Sequence, residues 1–408
     1  MIARVLRNGI WLGAGEAAVK GGLLAVAILI ARGSGPAGVG TFSIAFGAAL
    51  IGIMILAFGQ QEVLIREVAR APDRARTLLS ESKFLQRRLT MWLLPAVTAA
   101  VLLISDGSLR LTLLAFVPYV LLRTAMVTRG AAFKGLDRMD VEVRARGLEI
   151  SVAVLGTAVG VFLAWPVWTV GVAFSLGAGL GLMWIECVPR TLGLDRSSAP
   201  SLQVIREGLP FMALAVLGQL LVNMDRFLLA FLGIARTEIG FWGAAGTIVW
   251  ALIAFPQLVA VAVYPTFSRL AERGDSWRRV GLVSIVGGAA AGLACALLLR
   301  EIAEPLVGLV FGPDFAPAVP LMKRLSLVLP GAFAIMVVGT VFAAWRRQIL
   351  AMCALAAAFC LSVALNLAWI PAIGTMACAN AAVAAYSTAA IVMAFWLVLA
   401  AGPGKRAP

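Results

Sequence analysis

Long apolar blocks separated by short basic segments set the plan of this chain. Residues 150–185 contain no Asp, Glu, Lys or Arg, and neither do residues 348–404. One helical crossing of a bilayer core about 30 Å thick takes about 20 mostly apolar residues. Each block is therefore long enough for two crossings and reads as a helical hairpin. The same criterion predicts twelve spans along the chain. The first six are 9–31, 42–59, 89–105, 109–128, 148–165 and 168–187. The second six are 209–232, 240–264, 280–300, 321–344, 348–370 and 377–401. The first stretch is longer than a secretory signal core and carries Glu16 and Lys20, so it reads as a retained helix despite Arg4 and Arg7 before it. The fold class expected is all-α, a polytopic membrane protein.

Composition agrees. Apolar residues make up 62% of the 408 positions and charged residues 13%, against about 45–50% and 25% in soluble domains. The net charge of +14 does not point to nucleic acid, because the basic residues sit in the connections between spans. Counted over alternate connections, 26 of the 34 Lys and Arg fall on one side and six on the other. The positive-inside rule then places both termini in the cytoplasm. Six spans per half return the chain to its starting side. Ala37-Gly-Val-Gly40-Thr-Phe42 is echoed 200 residues later by Thr237-Glu-Ile-Gly240-Phe-Trp242, and each stretch opens the second helix of its half. The organisation expected is two parallel six-helix repeats, 1–200 and 201–408, around a central cavity.

The chemistry excluded is as informative. The chain has no histidine and its five cysteines lack paired spacing, so they read as packing residues, without disulfide, metal or catalytic roles. No phosphate-binding loop is present, which argues against direct use of ATP, and no cofactor is expected. The longest predicted outer connection, 301–320, holds Glu301, Glu304 and Asp314, too little to support a membrane polymerase or ligase. Pro95, Pro118, Pro256 and Pro330 lie within predicted spans and are expected to kink them. Gly9/Gly13, Gly156/Gly160 and Gly177/Gly181 have the spacing of close helix approach.

Ionisable groups inside a span are costly and are candidates for function. Glu16 and Lys20 lie one turn apart on one face of the first span. Either they neutralise each other within the bundle or they face a hydrated cavity. In the seventh span Gln219, Asn223 and Arg226 share a face, while Asp225 points about 100° away. Arg226 is read either as a cavity group or as snorkelling to the outer interface. Arg123 is expected to anchor the cytoplasmic end of span four, and Lys323 and Arg324 to cap the outer end of span ten.

Four stretches carry a resemblance. Ala31-Arg-Gly-Ser-Gly-Pro-Ala-Gly-Val-Gly-Thr-Phe42 resembles the ARxLGPxxxGxY/F turn of bacterial polysaccharide-biosynthesis flippases, relatives of multidrug (MATE) transporters and of the lipid II flippase. Glu207-Gly-Leu-Pro210 with Asp225-Arg226 and Thr237-Glu-Ile-Gly240 is similar to a second element of that family. Phe311-Gly-Pro-Asp-Phe315 and Asn366-Leu-Ala-Trp-Ile-Pro371-Ala-Ile-Gly374 are similar to two more. Gly33 and Ser34 replace bulkier residues, and Thr375-Met-Ala stands where a Gly-Ala pair is common. The resemblance implies a flippase of the bacterial cytoplasmic (inner) membrane. Its cargo would be an oligosaccharide on undecaprenyl pyrophosphate, moved by alternating access for surface polysaccharide such as lipopolysaccharide or exopolysaccharide. Membrane lipid and other polysaccharide assembly proteins would be its partners. Lys20 and Arg226, the deepest cations, would attract the anionic head group, with Gln219 and Asn223 beside them. Glu16 and Asp225 would bind a proton or a sodium ion, coupling transport to a gradient. The alternative within the superfamily is a MATE-like antiporter of small cations or drugs.

Overall fold

The structure is a computed structural model that describes residues 2–188, 202–273, 277–345 and 347–399. The predicted connection 186–208 lies partly, and the segment 402–408 wholly, outside the described residues. The all-α expectation holds: among the described residues every regular element is helical. In a bilayer the backbone finds no water to bond, and a helix satisfies its polar groups internally.

Fourteen α-helices follow one another: α1 (Ile2–Ala57), α2 (Gln60–Arg70), α3 (Ala75–Leu102), α4 (Gly107–Gly135), α5 (Met139–Phe162), α6 (Trp168–Cys187) and α7 (Leu202–Phe231). Then come α8 (Arg236–Leu252), α9 (Ala254–Glu272), α10 (Trp277–Val310), α11 (Ala318–Leu325), α12 (Leu329–Ala344), α13 (Gln348–Ile373) and α14 (Thr375–Leu399). The chain divides into two compact units, Met1–Asn223 and Met224–Pro408, with the dividing line inside α7.

In the first unit α1 takes the place of two predicted spans. Its backbone is helical on both sides of Gly35, which adopts φ 64° and ψ −169°, a region open essentially to glycine alone. Packing gives the directions of the two arms. A Cβ on Gly15, Gly22 or Gly33 would meet Val143, Ile150 or Val161 in turn, so the first arm runs parallel to α5. Phe42 and Phe46 of the second arm lie against Phe116 and Tyr119 of α4, and Gly52 lies against Val120, so the second arm runs parallel to α4. Gly130 opposes Glu142 and Arg123 reaches Glu149, which makes α4 and α5 antiparallel. The arms of α1 are therefore antiparallel, and α1 is a hairpin of two crossings turned at Gly35-Pro36.

Among the described residues ten helical segments are long and apolar enough to cross a membrane. One of them is the doubled α1. The 28-residue α3 falls outside that set because Lys83, Arg87 and Arg88 charge its first half, while its part from 89 onward is apolar. With α1 counted twice and α3 added, the described residues accommodate the twelve spans.

Glycine seams lock part of the first unit. Gly156 of α5 faces Ala173 of α6, and a Cβ on Gly177 or Gly181 would stand 2.4 and 2.8 Å from the carbonyl oxygens of Glu149 and Ala145. Such backbone proximity is what small residues allow between membrane helices. Gly13, by contrast, faces open space. Phe42, Phe46, Phe116, Tyr119 and Phe174 form one aromatic cluster between α1, α4 and α6.

In the second unit a similar seam joins α10 to α12, where Gly288 and Gly292 abut the carbonyl oxygens of Phe333 and Leu329. Two predicted spans are interrupted. Span eight breaks at Ile253 between α8 and α9. Span ten divides into α11, a 3₁₀ turn at Ser326–Val328, and α12. Proline explains both, since its ring clashes with the carbonyl four residues earlier: Pro256 acts on Leu252, where α8 ends, and Pro330 acts on Ser326. Lys323 and Arg324 end α11, near the start of the apolar segment Ala318–Ala344. Arg300 Nη1 donates to the Lys323 carbonyl at 2.9 Å, and Arg324 Nε donates to Asn380 Oδ1 at 2.6 Å. The predicted outer connection 301–320 is also corrected, because α10 continues to Val310. The α13–α14 hairpin turns at Gly374, φ 57°, within the Asn366–Gly374 stretch noted above. All five cysteines are free thiols; Cys378 is buried, whereas Cys187, Cys353 and Cys360 are exposed.

No atom outside the neighbouring backbone lies within 4 Å of a Cβ built at Gly35, so substitution there acts through backbone conformation alone. Gly35→Ala is expected to destabilise the protein by about 1–3 kcal/mol. Gly21→Ala, which also enters open space but on a helical backbone, should cause no loss. Thermal unfolding midpoints of the purified variants in one detergent test this.

Candidate functional site

Charged side chains at membrane depth persist when partners on neighbouring helices satisfy them. In the first unit α5 supplies those partners. Glu142, Arg146 and Glu149 follow an i, i+4, i+7 spacing and share one face of the helix. Lys134 of α4 pairs with Glu142 at 2.8 Å. Arg146 pairs with Glu16 of α1. Arg123 of α4 donates to Glu149 Oε2 at 2.5 Å, and Tyr119 donates its hydroxyl to Glu149 Oε1 at 3.0 Å. The Arg123 and Glu149 side chains are only 14% and 7% exposed.

Two expectations change here. The carboxylate of Glu16 is held by Arg146, across the helix interface, and not by Lys20 alone. Lys20 lies one turn away and still contributes to the field at Glu16. Arg123 is an interior partner of Glu149 and not an interface anchor. Sequence reading placed Arg146 in a cytoplasmic basic segment and overlooked Glu142 and Glu149. The available signal was the recurrence of charge at helical spacing on the edge of an apolar block.

The α7 residues divide between the units. Gln219 and Asn223 come together as their spacing predicts: Asn223 Nδ2 donates to the Gln219 carbonyl at 2.9 Å and to its Oε1 at 3.2 Å. Asn223 packs against the second arm of α1, its Oδ1 3.0 Å from the Cβ position of Gly47. Asp225 and Arg226 belong to the second unit. Asn366 of α13 donates through Nδ2 to Asp225 Oδ1 at 2.9 Å and lies 3.4 Å from the Ser362 hydroxyl. Asp225 is 4% exposed and Asn366 1%. The other amide atom, Asn366 Oδ1, is buried without a hydrogen-bond partner among the described residues. Arg226 points elsewhere, its Nη2 3.7 Å from the Cβ position of Gly246 on α8.

A buried carboxylate, an amide and a hydroxyl thus meet between α7 and α13, with the Asn366 Nδ2 group facing both oxygens. Among the described residues no group of three or more His, Cys, Asp or Glu forms a conventional metal site. Asn366 and Ser362 were not singled out as site residues in the sequence, although Asn366 opens one of the family-like stretches. Their separation of four residues on one helical face was the usable signal.

The family profile described as "Polysaccharide biosynthesis protein" matches residues 5–271. The chain belongs to that family. No curated protein matches it by sequence. As a family member it shares its fold with solved transporters. An inward-facing multidrug resistance MATE family transporter of the MOP superfamily matches with a TM-score of 0.73 and 17% identity, over 93% of each chain. A MOP superfamily transporter from Pyrococcus furiosus matches at 0.63 and 16%, over 97% of this chain and 95% of the other. The lipid II flippase MurJ, inward closed, matches at 0.55 and 11%, over 96% and 86%. The family member is therefore an all-helical membrane protein with the fold of this superfamily.

Removing one partner of a buried ion pair leaves an uncompensated charge and costs about 3–5 kcal/mol. Glu149→Ala is expected to lower stability by that order. Arg123→Met combined with Glu149→Leu should recover most of the loss, as read from thermal unfolding and folded yield in detergent.

Proposed function

We propose that this protein flips lipid-linked oligosaccharide repeat units, carried on undecaprenyl pyrophosphate, across the bacterial cytoplasmic membrane for surface polysaccharide biosynthesis. The observation that carries the reading is the family match over residues 5–271 on a chain with an exporter fold. In this reading both termini lie in the cytoplasm and the cargo path opens to alternate sides of the membrane. The cargo head group is large, polar and anionic. Lys20 and Arg226, one in the first helix of each repeat, provide cationic attraction for it. Gln219 and Asn223 offer neutral hydrogen-bonding groups about two turns and one turn before Arg226. Other polysaccharide assembly proteins would supply and consume the repeat unit.

Asp225 is the proposed site of energy coupling. Its buried carboxylate, held by the neutral Asn366 amide, supports a proton or a sodium ion as the co-transported species. Binding there would neutralise a charge at membrane depth and so favour one packing of α7 on α13 over another. Glu16 is less suited to this role because Arg146 already neutralises it.

Lys20→Ala and Arg226→Ala are each expected to reduce surface polysaccharide at least several-fold at equal protein level. Unchanged export from both would refute their role with the cargo. Asp225→Asn should leave the protein folded while abolishing gradient-driven transport in vesicles. Transport by the wild type that survives collapse of both the proton and the sodium gradient would remove the coupling role. A drug-extrusion assay in a sensitised strain separates this reading from a MATE-like multidrug antiporter, and no added resistance is expected.

A further inference from the structure

The first unit contains a second polar site, remote in sequence from every residue assigned above to cargo or coupling. A cavity of about 410 Å³ lies between α1, α3 and α4. Its polar end holds Lys83 and Arg87 from α3 and Arg129 from α4. Its other wall is mainly apolar, formed by Met91 one turn further along α3 and by Leu121 and Ala125 earlier in α4, with Thr90 and Thr124 among them. Because α3 leaves the side on which basic connections are concentrated and α4 returns to it, the cations lie at that side and the apolar wall lies deeper in the bilayer. Met91 and Trp92 are 55% and 72% exposed, so the apolar wall is continuous with an exposed apolar surface.

The charges in this cavity are not balanced. Arg129 is committed, bonding Glu186 of α6 at 2.7 Å and the Ala125 carbonyl at 3.1 Å. Lys83 is half-buried, and among the described residues no carboxylate forms an ion pair with it. Arg87 of its own helix and Arg129 of α4 repel its charge, while Glu186 of α6 attracts it. Burial, followed by those two arginines, pushes the Lys83 ammonium down to about 8 from its usual value.

We propose that this cavity is a binding site for an anionic phospholipid of the leaflet on the basic side, with the headgroup phosphate on Lys83 and Arg87 and an acyl chain along Met91 and Leu121. Basic pockets between membrane helices at that level suit phosphate head groups, and the apolar wall distinguishes a lipid from a free anion. The site stands independently of the cargo reading, since it uses none of the residues assigned to transport.

The test uses the full-length protein, delipidated in detergent and then supplied with phosphatidylglycerol, phosphatidylcholine or inorganic phosphate. Native mass spectrometry reads bound lipid, and thermal unfolding reads stabilisation. Phosphatidylglycerol is expected to bind and stabilise, while phosphatidylcholine and inorganic phosphate do neither. Lys83→Gln and Arg87→Gln should each weaken phosphatidylglycerol binding about fivefold, the worth of one basic residue near an anionic surface. Wild-type binding should fall between pH 7 and pH 9.5 as Lys83 loses its proton, and Lys83→Arg should bind with a flat profile over that range. Equal phosphatidylglycerol binding by the folded Lys83→Gln/Arg87→Gln double variant overturns the proposal. So does equal stabilisation by phosphatidylcholine, and equal stabilisation by inorganic phosphate would replace the lipid with a free anion.

Discussion

A buried charge needs a partner, and in the first unit that requirement converges on α5. Glu142, Arg146 and Glu149 reach three different partners, Lys134 and Arg123 on α4 and Glu16 on α1. Each bond crosses a helix interface, so the polar contacts fix rotation and depth where apolar packing alone would permit sliding. Lipid tails are as apolar as leucine, and association of helices within a bilayer gains little from burial itself. The aromatic cluster around Phe46 and the glycine seam of α5 and α6 then fill the space those bonds define.

The second unit meets the same requirement with fewer charges. Asp225 is bonded to the Asn366 amide, and Arg226, its neighbour in sequence, acts on it through its charge. Successive helical residues point about 100° apart, and Arg226 lies against Gly246 while Asp225 turns to Asn366. A carboxylate held by a neutral amide keeps its capacity to take up a cation, whereas one clasped by a guanidinium, such as Glu149, does not.

The apolar blocks were enough to foresee an all-helical membrane protein and nearly every crossing, because span length is dictated by bilayer thickness. Local spacing was equally reliable: Gln219 and Asn223 meet as a four-residue step predicts. Partners distant in sequence were not legible. Asn366 reaches Asp225 across 141 residues, and Arg146 reaches Glu16 across 130, distances over which periodicity carries no information. The prolines announced irregularity without placing it. Pro256 and Pro330 interrupt their spans, while Pro95 and Pro118 sit inside the unbroken helices α3 and α4.

The glycine seams also have a mechanical meaning. Where α5 lies on α6, and α10 on α12, backbone touches backbone with almost no side chain between them. Such pairs have little compliance: they resist shear because there are no rotamers to rearrange. Any flexing within a unit is then concentrated where the helix is already interrupted, at Ile253 and at Ser326–Val328 in the second unit and at Gly35 in the first. The protein is in this sense a set of stiff paired struts with a few defined joints.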